Sequence, residues 1–172
     1  MQLFLVRWPD LTAYKIAPKT ELDLRNRMVS FIHGLVCLVL TSYQVFAVPY
    51  YCGDQTTAAN YFILVNSGGY FIYDVVGMYL FGLLELDMMI HHSLCIGGII
   101  AVVLSGHDLC HVVAGLFVAE VSNPAMHMRV MLRNIGKRYT LAYEYAEYTY
   151  FIMFFFGRVV MGHPVVYATV TC

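Results

Sequence analysis

The stretch Met88–Leu104, MMIHHSLCIGGIIAVVL, decides the fold class. It is almost wholly apolar, and it is close to the ~20 residues that a helix needs to cross a bilayer at ~1.5 Å per residue. His91 and His92 stand side by side near its start. Imidazole in hydrocarbon is costly, so such residues face a protein interior, a polar cavity or a partner. The pair therefore marks both the environment of the chain and the first place to look for function.

Four more apolar stretches accompany it, at about 28–48, 58–84, 109–132 and 140–161. Each is near the length of a membrane span. The links between them carry turn chemistry: Pro49 to Thr57, Ser105-Gly106-His107-Asp108, and Asn134-Ile135-Gly136-Lys137. The whole chain agrees with this reading. It has 172 residues, of which 60% are hydrophobic and only 12% charged, a share well below that of soluble domains. The expected fold is an all-α, polytopic bundle of about five crossings, with residues 1–24 as an interfacial arm anchored by Trp8 and residues 25–172 as the membrane domain. Met1 to Val6 is too short to be the core of a signal peptide.

Basic residues set the orientation. Of ten Lys and Arg, five (Arg7, Lys15, Lys19, Arg25, Arg27) precede the first span and four (Arg129, Arg133, Lys137, Arg138) lie between the fourth and fifth. An even number of crossings separates the two groups, so both fall on one side, expected to be the cytoplasm or the mitochondrial matrix. The expected location is the endoplasmic reticulum or the mitochondrial inner membrane. A net charge of −1 speaks against a nucleic-acid partner.

Polar residues recur at helical spacing on each span. His33, Cys37, Thr41 and Gln44 share a face of the first; Asn66, Tyr70 and Asp74 of the second; Asp87, His91 and Cys95 of the third; Glu120, Asn123 and His127 of the fourth. Glu147 and Arg158 are about three turns apart on the fifth. A central charge facing lipid costs at least ~2.5–3.5 kcal/mol on insertion scales, so these faces are expected to point inward around a polar cavity. Simple interhelical hydrogen bonding is the plainer account of any one of them. Counting depth from the basic side brings His33, Asp74, His91, His92 and His127 to one level, with Glu120 and Arg158 nearer the far half and able to pair. Pro124, within Glu120-Val121-Ser122-Asn123-Pro124, is expected to kink the fourth span. Gly68-Gly69 and Gly97-Gly98 allow close helix approach.

Asp74 with one histidine could support general-base chemistry toward an amine or hydroxyl, and a structural Asp–His contact is the competing reading. No metal is expected. Adjacent histidines point about 100° apart on a helix, and no HxxxH or ExxH spacing is present. The five cysteines show neither metal nor redox spacing.

Six motifs in order resemble the TLC family: Phe31-Ile32-His33-Gly34, Gly69 through Asp74, Asp87 through His92, Glu120 through Pro124, Met128-Arg129 leading to Leu132, and Gly157-Arg158. The likeness spans roughly residues 25 to 162 and is nearest to the small TLC domain-containing transmembrane proteins. It implies a helical bundle around a lipid-accessible cavity that binds or handles acyl lipids, with membrane lipids and other membrane subunits as partners. In the ceramide synthase branch the paired histidines serve transfer of an acyl group from acyl-CoA. By the match, His91, His92 and Asp74 take the catalytic place, and His33, Tyr70, Asp87, Glu120, Asn123, His127 and Arg158 line the cavity. The longer synthase signature after the histidines is missing: the third residue after His92 is Cys95, not Thr. Members of this kind also carry a helix before the His33 segment and another after the Arg158 segment. The chain is expected to lack both, as a fragment or as a reduced member completed by neighbours. The alternative function is therefore that of a non-catalytic accessory subunit of a larger membrane complex.

Overall fold

The computed structural model describes residues 16–49, 57–107 and 109–171. Trp8 and the rest of the arm before residue 16 lie outside them. Among the described residues every extended element is helical: α1 (Pro18–Ala47), α2 (Ala58–Leu80), α3 (Leu86–Ser105), α4 (Leu109–Glu120), α5 (Asn123–Asn134), α6 (Leu141–Phe154), a π-helical turn (Phe155–Met161) and α7 (Gly162–Thr171). The last three run on as one rod, and α4 and α5 form another with a break in it.

Four of these rods are long and apolar enough to cross a membrane: α1, α3, α4 with α5, and α6 through α7. At 23 residues α2 has the length, and polar residues such as Asn60, Asn66 and Asp74 dilute its hydropathy. Those groups explain its place in the bundle. Asn60, Ile63, Leu64, Ser67, Phe71, Asp74 and Met78 are buried at i+3 and i+4 spacing, while Phe62, Val65, Ile72, Val76 and Tyr79 face outward. The apolar side is turned to lipid and most of the polar side to protein. The main core joins Cys37 of α1, Leu64 and Phe71 of α2, Ile99 of α3, and Val113 and Leu116 of α4.

Element limits differ from the sequence expectation at both ends. The first helix starts at Pro18, a residue suited to a first helical position. Its opening turns are amphipathic and hold the ion pairs Glu21–Arg25 and Asp23–Arg27 at i,i+4 spacing. Apolar runs alone do not reveal such turns. At the other end the helix passes Met161 and continues to Thr171. Pro164 offers no N–H to the preceding turn, and His163 Nδ1 instead lies 2.6 Å from the Val159 carbonyl oxygen.

Polar contacts between helices show which ends lie together. Asn26 Nδ2 donates to Asp74 Oδ1 at 2.8 Å, and Asn134 Nδ2 donates to Asp23 Oδ2 at 2.9 Å. Arg129 reaches Glu147 at 3.4 Å. The start of α1, the end of α2, the end of α5 and the start of α6 therefore share one end of the bundle. That end carries Lys19, Arg25, Arg27, Arg129, Arg133, Lys137 and Arg138, in accord with the charge count from sequence.

The break between α4 and α5 at Val121–Ser122 is the point where the last rod docks. Pro124 lacks the N–H that would have met the Glu120 carbonyl. A Cβ built on Gly34 would lie 3.4 Å from Pro124, so α1 packs directly on the break. On the opposite side Gly157, within the π turn, sits so close that an added Cβ would overlap the Val121 side chain. The paired glycines behave less uniformly than expected. Gly68 does pack on Ile99, whereas a Cβ added to Gly69, Gly97 or Gly98 would meet nothing within 4 Å. Replacing Gly157 with Ala is expected to destabilise the purified protein by about 1–3 kcal/mol through overpacking. Thermal unfolding in detergent would measure this, and Val121→Ala in the same chain should restore most of the loss.

Candidate functional site

Asp74 is the centre of the first polar cluster. It is buried on α2 and accepts the Asn26 hydrogen bond from α1. His92 Nδ1 of α3 approaches its other carboxylate oxygen at 3.3 Å, near enough for attraction but out of line for a hydrogen bond. One turn back on α2, Phe71 packs tilted against the His92 ring at 5.3 Å and edge-on to His33 at 6.2 Å. His33 in turn stacks on Tyr70, with centroids 3.8 Å apart and planes 12° from parallel. Ser30 lies beside Tyr70, and its Oγ donates to the Asn26 carbonyl at 3.1 Å. Three helices are thereby tied through alternating aromatic and polar contacts.

Three imidazole nitrogens in this region are buried without a hydrogen-bond partner among the described residues: His33 Nε2 on α1, His92 Nδ1 on α3 and His127 Nδ1 on α5. His127 lies within electrostatic reach of His33. Buried polar atoms are nearly always hydrogen-bonded, to protein or to something held by it. The three nitrogens belong to three different helices.

A second cluster surrounds the broken helix. Arg158 Nη2 donates to the Ala119 carbonyl at 2.7 Å and to Asn123 Oδ1 at 3.2 Å, and the guanidinium lies 5.4 Å from the Phe154 ring centroid. Asn123 also lies beside the buried Glu120. The Glu120–Arg158 pairing expected from sequence is therefore relayed through Asn123. Glu120 lies within electrostatic reach of Cys37, Tyr70 and Cys95, and Arg158 within reach of His91 and Cys95. The two clusters thus border one interior region.

The expected residues separate into inward and outward groups. Asp74, His92 and Glu120 are buried; His33, Tyr70, Asn123, His127 and Arg158 are half-buried and turned toward the interior contacts above. Asp87 and His91 are exposed on α3, and the described contact of His91 outside its neighbour's ring is Cys95 of its own helix, at 3.9 Å. The inward face of α3 holds His92 and Ile99, with Cys95 and Ile96 packed against the core, and not Asp87 or His91. Asn66 is likewise exposed, beside Tyr61 and Phe62 on an open groove of about 550 Å³. Thr41 closes back on the Cys37 carbonyl at 2.7 Å and is satisfied within its own helix. Asn26 and Ser30 join the cluster without having been expected from sequence, although 26, 30, 33 and 37 extend the His33 stripe by two turns.

The TLC-domain family profile matches residues 23–172. TLC domain-containing protein 1 of Gallus gallus is 24% identical over 167 residues, which covers 94% of this chain and 64% of that protein. TLC domain-containing protein 1 of Homo sapiens is 27% identical over 159 residues, covering 90% and 64%. The chain thus spans just under two thirds of the length of these relatives. No solved structure matches it.

Replacing Asn26 with Ala should lower thermal stability in detergent by about 1–2 kcal/mol, since it leaves Asp74 without its donor. Asp74→Ala should cost more, because it strands Asn26, removes the carboxylate beside His92 and leaves a cavity. Equal melting temperatures for wild type and both variants would contradict the burial and pairing described.

Proposed function

The chain belongs to the TLC-domain family, and from that premise we propose that it holds an acyl lipid in an intramembrane cavity whose polar end is formed by His33, His92 and His127. The observation that carries this reading is the buried nitrogens of His33 and His127 that lack a hydrogen-bond partner, beside the His92 ring whose Nδ1 faces Asp74. A lipid headgroup with hydroxyl, amide or carbonyl groups can meet such atoms, while its acyl chain lies among the apolar walls. Tyr70 and Phe71, packed on these rings, supply the flat surfaces between head and chain.

Acyl transfer is the enzymatic form of the same reading. Asp74 lies beside His92 Nδ1, leaving Nε2 to take a proton from an attacking amine or hydroxyl. The new N–C or O–C bond would form as the thioester C–S bond of an acyl-CoA breaks and the thiolate leaves. His92 fits this part better than His91, which is exposed and away from Asp74.

The accessory-subunit reading draws on a different observation. Only about a tenth of α3, and of the α6–α7 rod, is buried, 11% in each span. His91 is exposed on α3. An exposed imidazole at membrane depth favours contact with another membrane protein.

Gentle purification followed by lipid extraction and mass spectrometry tests the main reading. The wild type is expected to retain a defined acyl lipid in near-stoichiometric amount, and a folded His33→Ala/His92→Ala variant to lose most of it. A wild-type protein that carries no lipid and runs only within a stable complex would transfer support to the accessory reading. For the enzymatic form, His92→Ala should abolish turnover of acyl-CoA with lipid acceptors while His91→Ala retains most of it.

A further inference from the structure

The basic end of the bundle is unevenly charged. Arg25, Arg27 and Arg129 are taken up by Glu21, Asp23 and Glu147. Lys19, Arg133, Lys137 and Arg138 are exposed and make no ion pair among the described residues. Arg133, Lys137 and Arg138 stand on the last turn of α5 and the link to α6. Lys19 belongs with them. It lies one turn before Asp23 on the same face of α1, and Asp23 accepts from Asn134 at the head of that link. Of the acidic side chains on the adjoining turns of α1 and α6, Glu144 alone makes no ion pair among the described residues, so a positive excess remains. The turn from α2 to α3, at the same end, is the reverse: it carries Glu85 and Asp87 with no Lys or Arg.

The link holds its shape without these cations. Gly136 takes a left-handed φ of 78°, and the Lys137 N–H donates to the Leu132 carbonyl at 2.8 Å to close α5. Thr140 Oγ1 donates to the Lys137 carbonyl at 2.8 Å and accepts from the Tyr143 N–H at the start of α6. The four basic side chains are therefore left for something outside the chain. Beside them Tyr139 is 92% exposed and Leu141 71% exposed. A phenol ring and an apolar side chain are at home at the boundary between headgroups and acyl chains.

We propose that the α5–α6 link, together with Lys19, is a binding surface for anionic phospholipids of the leaflet at the basic end. The cations meet phosphate and carboxylate oxygens of the headgroup, and Tyr139 and Leu141 lie against the upper acyl chain. Attraction of this kind is electrostatic, short in range and weakened by salt. The surface is separate from the histidine cluster, so the proposal stands whether or not the interior holds a lipid.

A tryptophan on the link reports the lipids that touch it. The full chain carrying Trp8→Phe and Tyr139→Trp is placed in phosphatidylcholine vesicles that contain brominated phosphatidylserine or brominated phosphatidylcholine, and quenching of the fluorescence is compared. The serine lipid is expected to be favoured about three- to tenfold at ~0.1 M salt, and less than about twofold at ~1 M. Adding Arg133→Gln, Lys137→Gln and Arg138→Gln should remove most of the preference with the melting temperature retained, since the link is closed by its own backbone and Thr140. With the reporter moved to Leu86→Trp, on the acidic turn of the same end, the preference should be absent. Equal quenching by the two lipids at position 139 would overturn the proposal. So would a preference that survives the triple substitution, or one equally strong at position 86. Loss of the preference on adding micromolar coenzyme A would also overturn it, by assigning the cations to a soluble phosphate ligand.

Discussion

The hydrogen bond from Arg158 to the Ala119 carbonyl is the contact on which the rest of the architecture depends. In lipid no water is available to satisfy a broken helix, and each unmet backbone group costs several kcal/mol. Pro124 makes such a break unavoidable, because it has no N–H for the turn before it. The guanidinium answers a carbonyl at the break, and it can do so only if the last rod comes very close. Gly157 permits that approach against Val121, and the π turn around it aims Arg158 at the target. π turns of this kind are frequent at functional sites. The break, the glycine, the π turn and the arginine therefore form one device spread over two distant segments.

That device also fixes the polar interior. With the fourth rod interrupted, Glu120 and Asn123 turn inward, and Asn123 links the carboxylate to the guanidinium. Gly34 lets α1 lie on Pro124, which brings His33 alongside Tyr70 and Phe71. Nearer the basic end, Asp74 draws Asn26 and His92 together. The two clusters differ in chemistry. The Arg158 group centres on a guanidinium that donates to Ala119 and Asn123, with Arg158 Nε and Ser122 Oγ left without partners among the described residues, and the histidine group leaves three imidazole nitrogens so.

The adjacent histidines illustrate how helical geometry separates neighbours in sequence. His92 enters the Asp74 cluster, while His91, about 100° round the helix, is exposed beside Cys95 and within electrostatic reach of Arg158. A shared motif thus divides into an interior group and a surface group. The outward faces of α3 and of the α6–α7 rod leave much apolar surface for lipid or neighbouring helices.

The sequence by itself determined the all-helical membrane class, the clustering of basic residues at one end and the kink at Pro124, because each depends on local composition, helical period or a missing N–H. It also identified Asp74, His33, His92, Glu120 and Arg158 as inward-facing residues, since polar groups at helical spacing in an apolar span have few other stable positions. The tertiary structure decided which member of each stripe meets a partner. Asp87, His91 and Asn66 share faces or motifs with inward residues yet lie exposed, because rotation of a helix within the bundle is set by packing such as Gly68 on Ile99. Asn26 and Ser30 joined the site only through contact between α1 and α2, and Asn123 came between Glu120 and Arg158 only once the broken helix met the π turn. Those outcomes rest on contacts between residues far apart in the chain, which periodicity along a single helix does not encode.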